Sequence, residues 1–322
     1  MSDPVTGPAV VALGGGHGLF VSLSALRNLT ERLTAVVTVA DDGGSSGRLR
    51  RELGVLPPGD LRMALSALCD DSEWGRLWRD VLQHRFASAG TLHGHAMGNL
   101  LIVTLWDLLQ DTVTGLDWVG RLLGARGRVL PMAAVPLDIE ATVRGVDPAF
   151  PDDLRPVRGQ VAVARTPGRL GAVRLVPEEP PACPEALEAV RAADWVVLGP
   201  GSWFTSVLPH LLVPELSAAV RTTKARRCVT MNLGQQKGET DGFSCEAHLD
   251  VLREYAPDLR LDAVLADPTA VEDHASLERA AARFGARLIM RQVSLGDGTA
   301  RHDPLRLAAA YRDVFAGVVG DA

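Results

Sequence analysis

The sequence lacks any run of about 18 apolar residues without charge, which is the length that a membrane-spanning helix needs. Its first residues carry neither a basic segment nor an apolar segment of signal-peptide length. These absences argue against membrane insertion and secretion. We therefore expect a soluble, cytoplasmic protein.

Cysteine is scarce, and its four positions, Cys69, Cys183, Cys228 and Cys245, form no C-x-x-C pair and have no histidine at zinc spacing. We expect reduced, mostly buried thiols and predict no metal centre. No motif supplies a Ser-His-Asp triad or a Cys-His pair, so a hydrolase has little support.

Positive charge is also in deficit, because the formal net charge is -6 and the sequence pI is about 5.8. The two basic runs, at 48–51 and 224–227, are too short to form the stripe that nucleic-acid binding requires, so we expect no nucleic-acid partner. What the chain does have is length and apolar content. Its 322 residues are 47% hydrophobic, which is enough for a large core.

The most informative stretch is 9–18, where five apolar residues run into a cluster of glycines. This pattern predicts a buried parallel strand that turns sharply into a helix, whose free N–H groups would bind an anion such as phosphate. The dinucleotide fingerprint G-x-G-x-x-G is incomplete, because Leu19 stands at its third glycine. The alternative is a tight turn that needs glycine for steric reasons alone. The predicted ligand-binding residues are Gly14, Gly15, Gly16, His17 and Gly18.

A second strand is predicted at 33–40, and it ends in Asp41 and Asp42. An acidic residue at this place accepts hydrogen bonds from a ribose, whereas two adjacent acids would also suit a Mg²⁺ that bridges phosphates. The alternative is an Asx-turn with helix capping. The next residues supply free N–H donors with a guanidinium beside them, and we include Gly43, Gly44, Ser45, Ser46 and Arg48 in the predicted site.

Two further segments carry polar residues at helix starts. Asp60 is expected to be the N-cap of a helix over 61–69, with a ligand role left open. His93 and His95 precede an apolar helix predicted at 100–109, and they would serve as metal ligands or as contacts to a sugar or phosphate. We favour a polar contact at the helix N-terminus and assign His95 and Asn99 to the site.

The middle of the chain, from about 129 to 180, changes to short alternating runs at 137–143, 157–165 and 172–176. This pattern predicts an antiparallel β insertion. Residues 195–202 then repeat the theme of a buried strand entering a glycine turn. Gly201 and Ser202, with Thr205 and Ser206, would hold a second anion, although Ser202 as a simple N-cap is the alternative.

Later βα units place strands at 227–232, 261–267 and 287–293, followed by a helix over 304–315 with Asp303 as its N-cap. Polar residues at the ends of successive parallel strands converge on one crevice, and this convergence is the main argument for a binding function. From this part of the chain, the site includes Asn232, Thr240, Asp241 and Arg301. We predict one Rossmann-like domain over 1–322, a three-layer α/β/α fold with a mostly parallel sheet and a small antiparallel insertion.

The assembled motifs resemble the gluconeogenesis factor family of the CofD-like superfamily, which also contains 2-phospho-lactate transferases. Two departures from the family pattern occur: His17 replaces a threonine, and 234–237 replace Met-Thr-Gln-Pro. The resemblance covers nearly the whole chain and rests on the segments 13–19, 38–49, 56–60, 95–99, 199–202 and 238–242.

The resemblance implies a protein that binds a nucleotide-type ligand, a UDP-sugar or NAD, and that is tied to carbon metabolism, cell-wall synthesis and cell shape. We favour a regulator that requires no cofactor, with no catalytic residue assigned and with Mg²⁺ binding and a homo-oligomer left open. The alternative is a phospho-lactate or phosphoryl-group transferase that uses a nucleotide-activated donor and Mg²⁺. A nicotinamide-dependent dehydrogenase is a third hypothesis, for which only His95 is a candidate acid or base.

Overall fold

The structure, a computed structural model, describes residues 7–147, 149–150, 152–236 and 238–317. The strands are β1 (Val10–Gly14), β2 (Leu33–Val37), β3 (Arg128–Pro131), β4 (Asp138–Arg144), β5 (Leu154–Arg158), β6 (Arg169–Val176), β7 (Trp195–Leu198), β8 (Arg226–Thr230), β9 (Ala263–Ala266) and β10 (Arg287–Met290).

Helices connect most of these strands, as the 3.6-residue periodicities indicate. They are α1 (Gly16–Leu26), α2 (Gly44–Leu53), α3 (Pro58–Leu68), α4 (Glu73–Gln83), α5 (Met97–Leu109), α6 (Thr112–Leu123), α7 (Gln160–Ala164), α8 (Pro184–Ala192), α9 (Pro209–Leu212), α10 (Pro214–Thr222), α11 (Cys245–Tyr255), α12 (His274–Ala282) and α13 (Pro304–Ala316). A π-helical turn (Trp203–Val207) follows β7, and a 3₁₀ turn (Pro268–Ala270) follows β9. None of the described helices is long and apolar enough to cross a membrane.

The main sheet has seven parallel strands in the order β10-β9-β8-β7-β1-β2-β3. Strand β1 pairs with β2 on one side and with β7 on the other, so that Val10 lies opposite both Leu33 and Trp195. The chain order therefore reverses between β1 and β7. Open parallel sheets bind ligands in the crevice at this reversal, outside the carboxyl ends of the strands.

Burial explains why these short apolar runs form strands. All residues of β1, β7 and β9 are buried, as expected for parallel strands covered by helices on both faces. The predicted α/β class, with a mostly parallel sheet and a small antiparallel sheet, is confirmed. The small sheet has the order β5-β4-β6, with both pairs antiparallel.

The predicted limits of the insertion need two corrections. Residues 128–131 form β3 of the main sheet, because Val129, Leu130 and Pro131 are a buried apolar run that pairs parallel with β2. The strand predicted over 157–165 ends at Arg158 and gives way to α7. Gly159, with φ +104°, interrupts the extended backbone between them.

Helix starts also differ from two expectations. Asp60 is the third residue of α3 and not its N-cap, because Pro58 occupies the first position, where its missing N–H costs nothing. Helix α5 begins at Met97, three residues before the predicted start. Asp303 is confirmed as the N-cap of α13, since its Oδ1 accepts hydrogen bonds from the N–H groups of Leu305 and Arg306 at 2.8 and 3.1 Å.

Candidate functional site

The two glycine turns, at 14–18 after β1 and at 199–202 after β7, meet at the point where the strand order reverses. A Cβ atom on Gly18 would overlap the carbonyl oxygen of Pro200 and would lie 2.5 Å from the Cα atom of Gly201. Glycine at position 18 is therefore required by the close approach of two backbones. The prediction that these turns face one crevice agrees with this geometry.

A cavity of about 630 Å³ opens beside the two turns. Its size is within the range of small-molecule and cofactor sites, which is roughly 300–1,000 Å³. Five of the predicted binding residues line it, together with apolar side chains from α1 and from the segment before α13. The five are His17, Gly18, Gly201, Asn232 and Arg301.

The N-terminus of α1 gives this cavity an anion-attracting wall. The first helical hydrogen bond runs from the Leu19 N–H to the Gly15 carbonyl at 3.2 Å, so the N–H groups of 16–18 precede the hydrogen-bonded ladder. Gly16 adopts φ +56°, and a Cβ there would meet nothing within 4 Å. The Gly16 N–H is hydrogen-bonded to Asp60, whereas His17 and Gly18 line the cavity and place the first turn of α1 at its wall.

Arg301 and His302 enter the cavity from the segment before α13. Arg301 is exposed, and no carboxylate of the described residues pairs with it at salt-bridge distance. The Nε2 of His302 lies 3.2 Å from the Met231 carbonyl oxygen, and burial lowers the pKa of His302 to about 4. His302 is therefore neutral near pH 7, and the positive side chain of this pair is Arg301.

A second polar cluster lies on the other side of the first glycine turn. A Cβ on Gly15 would overlap Thr38 Oγ1 and would lie 2.7 Å from Asp60 Oδ2 and 3.4 Å from Ser206 Oγ. The Thr38 hydroxyl donates a hydrogen bond to Asp60 Oδ2 at 3.1 Å. Gly59 joins Asp41 to this cluster, because its Cβ would lie 3.0 Å from Asp41 Oδ2. We call Thr38, Asp41, Asp60 and Ser206 the carboxylate cluster.

The electrostatics of this cluster favour protonation. Burial and the neighbouring charge of Asp41 raise the pKa of Asp60 to about 6, against the lowering effect of hydrogen bonds from Thr38 and the Gly16 N–H. Burial also raises the pKa of Asp41, which accepts a hydrogen bond from the Gly43 N–H at 2.9 Å. A bound cation would remove this repulsion, and carboxylate oxygens are ligands that Mg²⁺ prefers.

The Asp42 carboxylate is bound by backbone of the insertion and is not part of the carboxylate cluster. Its Oδ1 accepts a hydrogen bond from the Val161 N–H at the start of α7 at 3.0 Å. A Cβ on Gly159 would overlap Asp42 Oδ2. The structure thus brings Asp41, and not Asp42, into the cluster with Asp60. Among the residues described, no group of three or more His, Cys, Asp or Glu side chains is arranged to hold a metal by itself.

The residues predicted around α2 divide between two faces. Ser46 lies beside Gly59 and helps to hold the Asp41 carboxylate. Ser45 Oγ lies 3.0 Å from His95 Nδ1 and accepts a hydrogen bond from Asn99 Nδ2, also at 3.0 Å. The Asn99 oxygen in turn accepts from the Arg62 guanidinium at 2.8 Å. This buried network joins α2, α3 and α5.

His95 and Arg48 line a different cavity, of about 570 Å³, on the outer face of α2. The Arg48 guanidinium donates hydrogen bonds to the carbonyl oxygens of Thr91 and His93 at 3.2 and 2.7 Å. Burial lowers the pKa of His95, which keeps its ring neutral at pH 7. Neither side chain lines the cavity at the glycine turns, so the hypothesis of a dehydrogenase that uses His95 loses its acid or base there.

The π-helical turn holds an anion that belongs to the chain itself. Glu239 is 5% exposed, and its Oε1 accepts hydrogen bonds from the N–H groups of Phe204 and Thr205, each at 2.9 Å. Burial raises the pKa of Glu239, and its hydrogen bonds with Ser202 and this turn oppose that rise. The second anion expected at this turn is therefore the Glu239 carboxylate.

The loop after β8 is held by the remaining predicted residues. The Asn232 amide accepts from the Gly201 N–H and donates to the Gly201 carbonyl, both at 2.9 Å. Thr240 is fully buried, and its hydroxyl accepts from the Gln236 N–H at 2.9 Å, while Asp241 accepts from the Gly238 N–H at 2.9 Å. Thr240 and Asp241 shape the loop and do not line the cavity.

Sequence reasoning missed Glu239, Thr38 and Arg62. The motif at 238–242 was noticed, but its buried carboxylate was passed over in favour of Thr240 and Asp241. Thr38 lies near the end of the strand predicted over 33–40 and directly after β2 in the structure, at the same edge of the sheet as Asp41, so the strand pattern contained this signal. Arg62 follows Asp60 by two residues, and nothing local indicates that it is 3% exposed.

Comparisons with known proteins agree with one another. Residues 10–290 match the family described as 2-phospho-L-lactate transferase CofD. A Mycobacterium leprae protein, provisionally named gluconeogenesis factor, is 54% identical over 98% of this chain and 89% of its own length. A Listeria innocua gluconeogenesis factor is 37% identical over 95% of both chains. A crystal structure of a Bacillus halodurans protein is similar with a TM-score of 0.84 and 32% identity, covering 95% of this chain and 99% of that chain.

Proposed function

Because the chain belongs to the CofD family, among the proteins named gluconeogenesis factor, we propose that it binds a nucleotide-type ligand in the cavity at the glycine turns. The proposed ligand is a UDP-sugar or NAD, and the proposed role is that of a cytoplasmic regulator tied to carbon metabolism, cell-wall synthesis and cell shape. Relatives in other bacteria carry the gluconeogenesis factor name, which supports the link to carbon metabolism.

One observation carries the binding proposal. The cavity of about 630 Å³ is lined both by His17 and Gly18 in the first turn of α1 and by Arg301. Phosphate is the group that such a pair of donors suits best, because both the helix terminus and the guanidinium favour negative charge. The apolar side chains of Phe20, Val21 and Leu295 also line the cavity and would contact the less polar part of the ligand.

The regulatory reading is supported by the shortage of proton-transfer groups in the cavity. His302 has a pKa of about 4 and is neutral, and His17 is the other histidine of the lining. General acid–base catalysis needs a group with a suitable pKa within reach of the reacting atom. A protein that binds a ligand and reports its level needs only the binding groups.

The transferase alternative is favoured by one specific observation, the carboxylate cluster beside the α1 turn. Asp41 and Asp60 are the residues that would hold Mg²⁺ against a diphosphate, and burial raises the pKa of both carboxyl groups. Asp42 would not take part, because its carboxylate is engaged by the Val161 N–H. The two functions share the nucleotide cavity and differ in whether a group is transferred.

A thermal-shift panel tests the binding proposal. A ligand at about 100 times its Kd should raise the free energy of unfolding by roughly 2.7 kcal/mol, so at least one of UDP-GlcNAc, UDP-glucose, NAD, NADP and GDP should raise the Tm. Arg301→Gln should reduce that shift, whereas Arg260→Gln, which changes another exposed arginine, should leave it unchanged. An unchanged Tm with every nucleotide would contradict the proposal.

Phosphorus NMR separates the regulator from the transferase. We expect the protein to return its nucleotide unaltered after prolonged incubation with Mg²⁺ and candidate acceptors. Turnover at about 1 s⁻¹ or above, an ordinary enzymatic rate, would promote the transferase. Loss of that turnover in Asp60→Asn, with the nucleotide still bound, would assign it to the carboxylate cluster.

A further inference from the structure

The two segments that form one wall of the cavity come from different parts of the chain. Pro200 and Gly201 follow β7, while 232–236 follow β8. The two segments are far apart in the sequence, and strands β7 and β8, which precede them, end before the cavity wall begins. Strands β7 and β8 pair with each other, and beyond their ends other contacts hold the two segments together.

Two side chains join these segments. At the cavity end, the Asn232 amide makes two hydrogen bonds with the Gly201 backbone. At the far end, Glu239 Oε1 receives the N–H groups of Phe204 and Thr205. These two N–H groups are at the start of the π-helical turn and have no acceptor within it, so the carboxylate satisfies donors that would otherwise be buried and unpaired.

Gln236 extends the connection toward the cavity. With its amide oriented by its hydrogen-bond partners, its nitrogen donates to Glu239 Oε2 at 3.0 Å and its oxygen accepts from the Ser202 N–H at 3.2 Å. Gln236 itself lines the cavity, whereas Glu239 does not. Glu239, which lies outside the cavity lining, is thus hydrogen-bonded to Gln236, which is part of it.

From this geometry we infer that Glu239 is a positioning residue for the ligand cavity, an internal anion that holds the loop after β8 against the turn after β7. This inference rests on the proposed function for its effect on affinity. The ligand meets Gly201 and Gln236 and never meets Glu239. Removal of the Glu239 carboxylate leaves every side chain of the cavity lining unchanged and alters only the positions of these side chains.

The same anion explains why the proposed ligand's phosphate is expected at α1 and not at the π-helical turn. Both turns follow a buried strand of the same sheet, and both present free N–H groups at the same edge. The turn after β7 is already neutralised by Glu239. At α1 the Gly16 N–H is hydrogen-bonded to Asp60, and the N–H groups of 17 and 18, whose residues line the cavity, remain for the phosphate.

Glu239→Gln is the variant that tests the inference, because the amide keeps an oxygen for the two N–H groups while it removes the charge. Glu254→Gln, which changes an exposed carboxylate on α11, is the matched control. With UDP-GlcNAc or NAD as the probe, whichever binds the wild type, we expect the affinity of Glu239→Gln to fall about tenfold and that of Glu254→Gln to stay within twofold. Equal affinities in Glu239→Gln and wild type, with both folded, would overturn the inference.

Hydrogen exchange without ligand gives a second readout that does not depend on nucleotide binding. We expect Glu239→Ala to raise amide exchange together in 201–207 and in 233–236 and 238–243, while β7 and β8 keep their protection. Exchange that rises in the loop after β8 alone would overturn the inference, since the carboxylate would then hold only its own loop. If the wild type binds no nucleotide yet both segments loosen together, the proposed function fails and the positioning role stands.

Discussion

Two glycines of the first turn, Gly16 and Gly18, are required for different structural reasons. Gly18 is needed because another backbone lies against it, whereas Gly16 is needed for its backbone angle alone. The pattern of glycines in the sequence predicted the turn but could not separate these two reasons. The distinction depends on the turn after β7, which lies about 180 residues further along the chain and whose approach no local pattern reveals.

Alanine at these two positions should therefore have unequal effects. Gly18→Ala would force apart the two turns and should lower the free energy of unfolding by about 3 kcal/mol, as overpacking against backbone does. Gly16→Ala should cost only about 1 kcal/mol, the strain of a left-handed backbone, and its methyl group would project into the proposed phosphate position. Urea unfolding of both variants measures the difference. Equal losses of stability would contradict the close approach.

Asp60 illustrates a pH dependence at the same scale. Its pKa rises from 3.8 to about 6 on folding, so between these pH values the folded chain holds a proton that the unfolded chain has released. The stability that Asp60 contributes is therefore present at low pH and is lost as the pH rises through about 6. The raised pKa of Asp41 acts in the same direction.

Asp60→Asn should remove this loss. At pH 7.5 the variant should unfold with a free energy about 1 to 3 kcal/mol higher than the wild type, while at pH 4 the two should be nearly equal. Urea unfolding at the two pH values measures the effect, and Asp258→Asn, at an exposed position, is the control. A variant that is less stable than the wild type at pH 7.5 would show that the charged carboxylate is required by the fold.

Elements were predicted best where the signal is local. The strands β1, β2, β7, β8, β9 and β10 follow from apolar runs that stop at polar or glycine-rich turns, and the N-cap of α13 follows from Asp303 and Pro304. Helix α7 was predicted as part of a strand, because Gln160 followed by four small apolar residues fits either period. Its helical state depends on Gly159 and on the Asp42 carboxylate at its start, which lies 119 residues away in sequence from Val161.

One buried hydroxyl of helix α13 contacts both α1 and the main sheet. Tyr311 Oη lies 2.8 Å from Ser22 Oγ on α1 and 3.0 Å from Thr230 Oγ1 at the end of β8. These contacts connect the helix that follows Arg301 to two elements that flank the cavity. The anchoring of α13 thereby fixes the segment that carries Arg301.

Tyr311→Phe should lower the free energy of unfolding by about 1 to 3 kcal/mol, because Ser22 and Thr230 lose their shared partner in a buried place. Hydrogen exchange should rise in α13. Tyr255→Phe is the matched control, since its hydroxyl accepts from the Val173 N–H in β6 and its loss should loosen the insertion and not α13. The anchoring role would be excluded if both variants exchanged alike in α13.

At the scale of the whole molecule, the sheet order determines where the ligand is expected. The sequence indicated the convergence of polar loops, and five of the predicted residues do line the cavity at the strand reversal. Residues around α2 were harder to place. Arg48 and His95 line a separate cavity, where Arg48 is held by the carbonyl oxygens of Thr91 and His93, and the loop that carries these carbonyl groups has no sequence pattern of its own.

A crystal structure with the tightest-binding nucleotide of the panel tests the central claim most directly, because cavities of similar size lie elsewhere on the molecule. These include one of about 650 Å³ between α2 and α5 and the one of about 570 Å³ that His95 lines. The account predicts phosphate oxygens within hydrogen-bond distance of the N–H groups of 17 and 18 and of the Arg301 guanidinium. Density for the nucleotide in either of the other cavities, with the glycine turns empty, would contradict it.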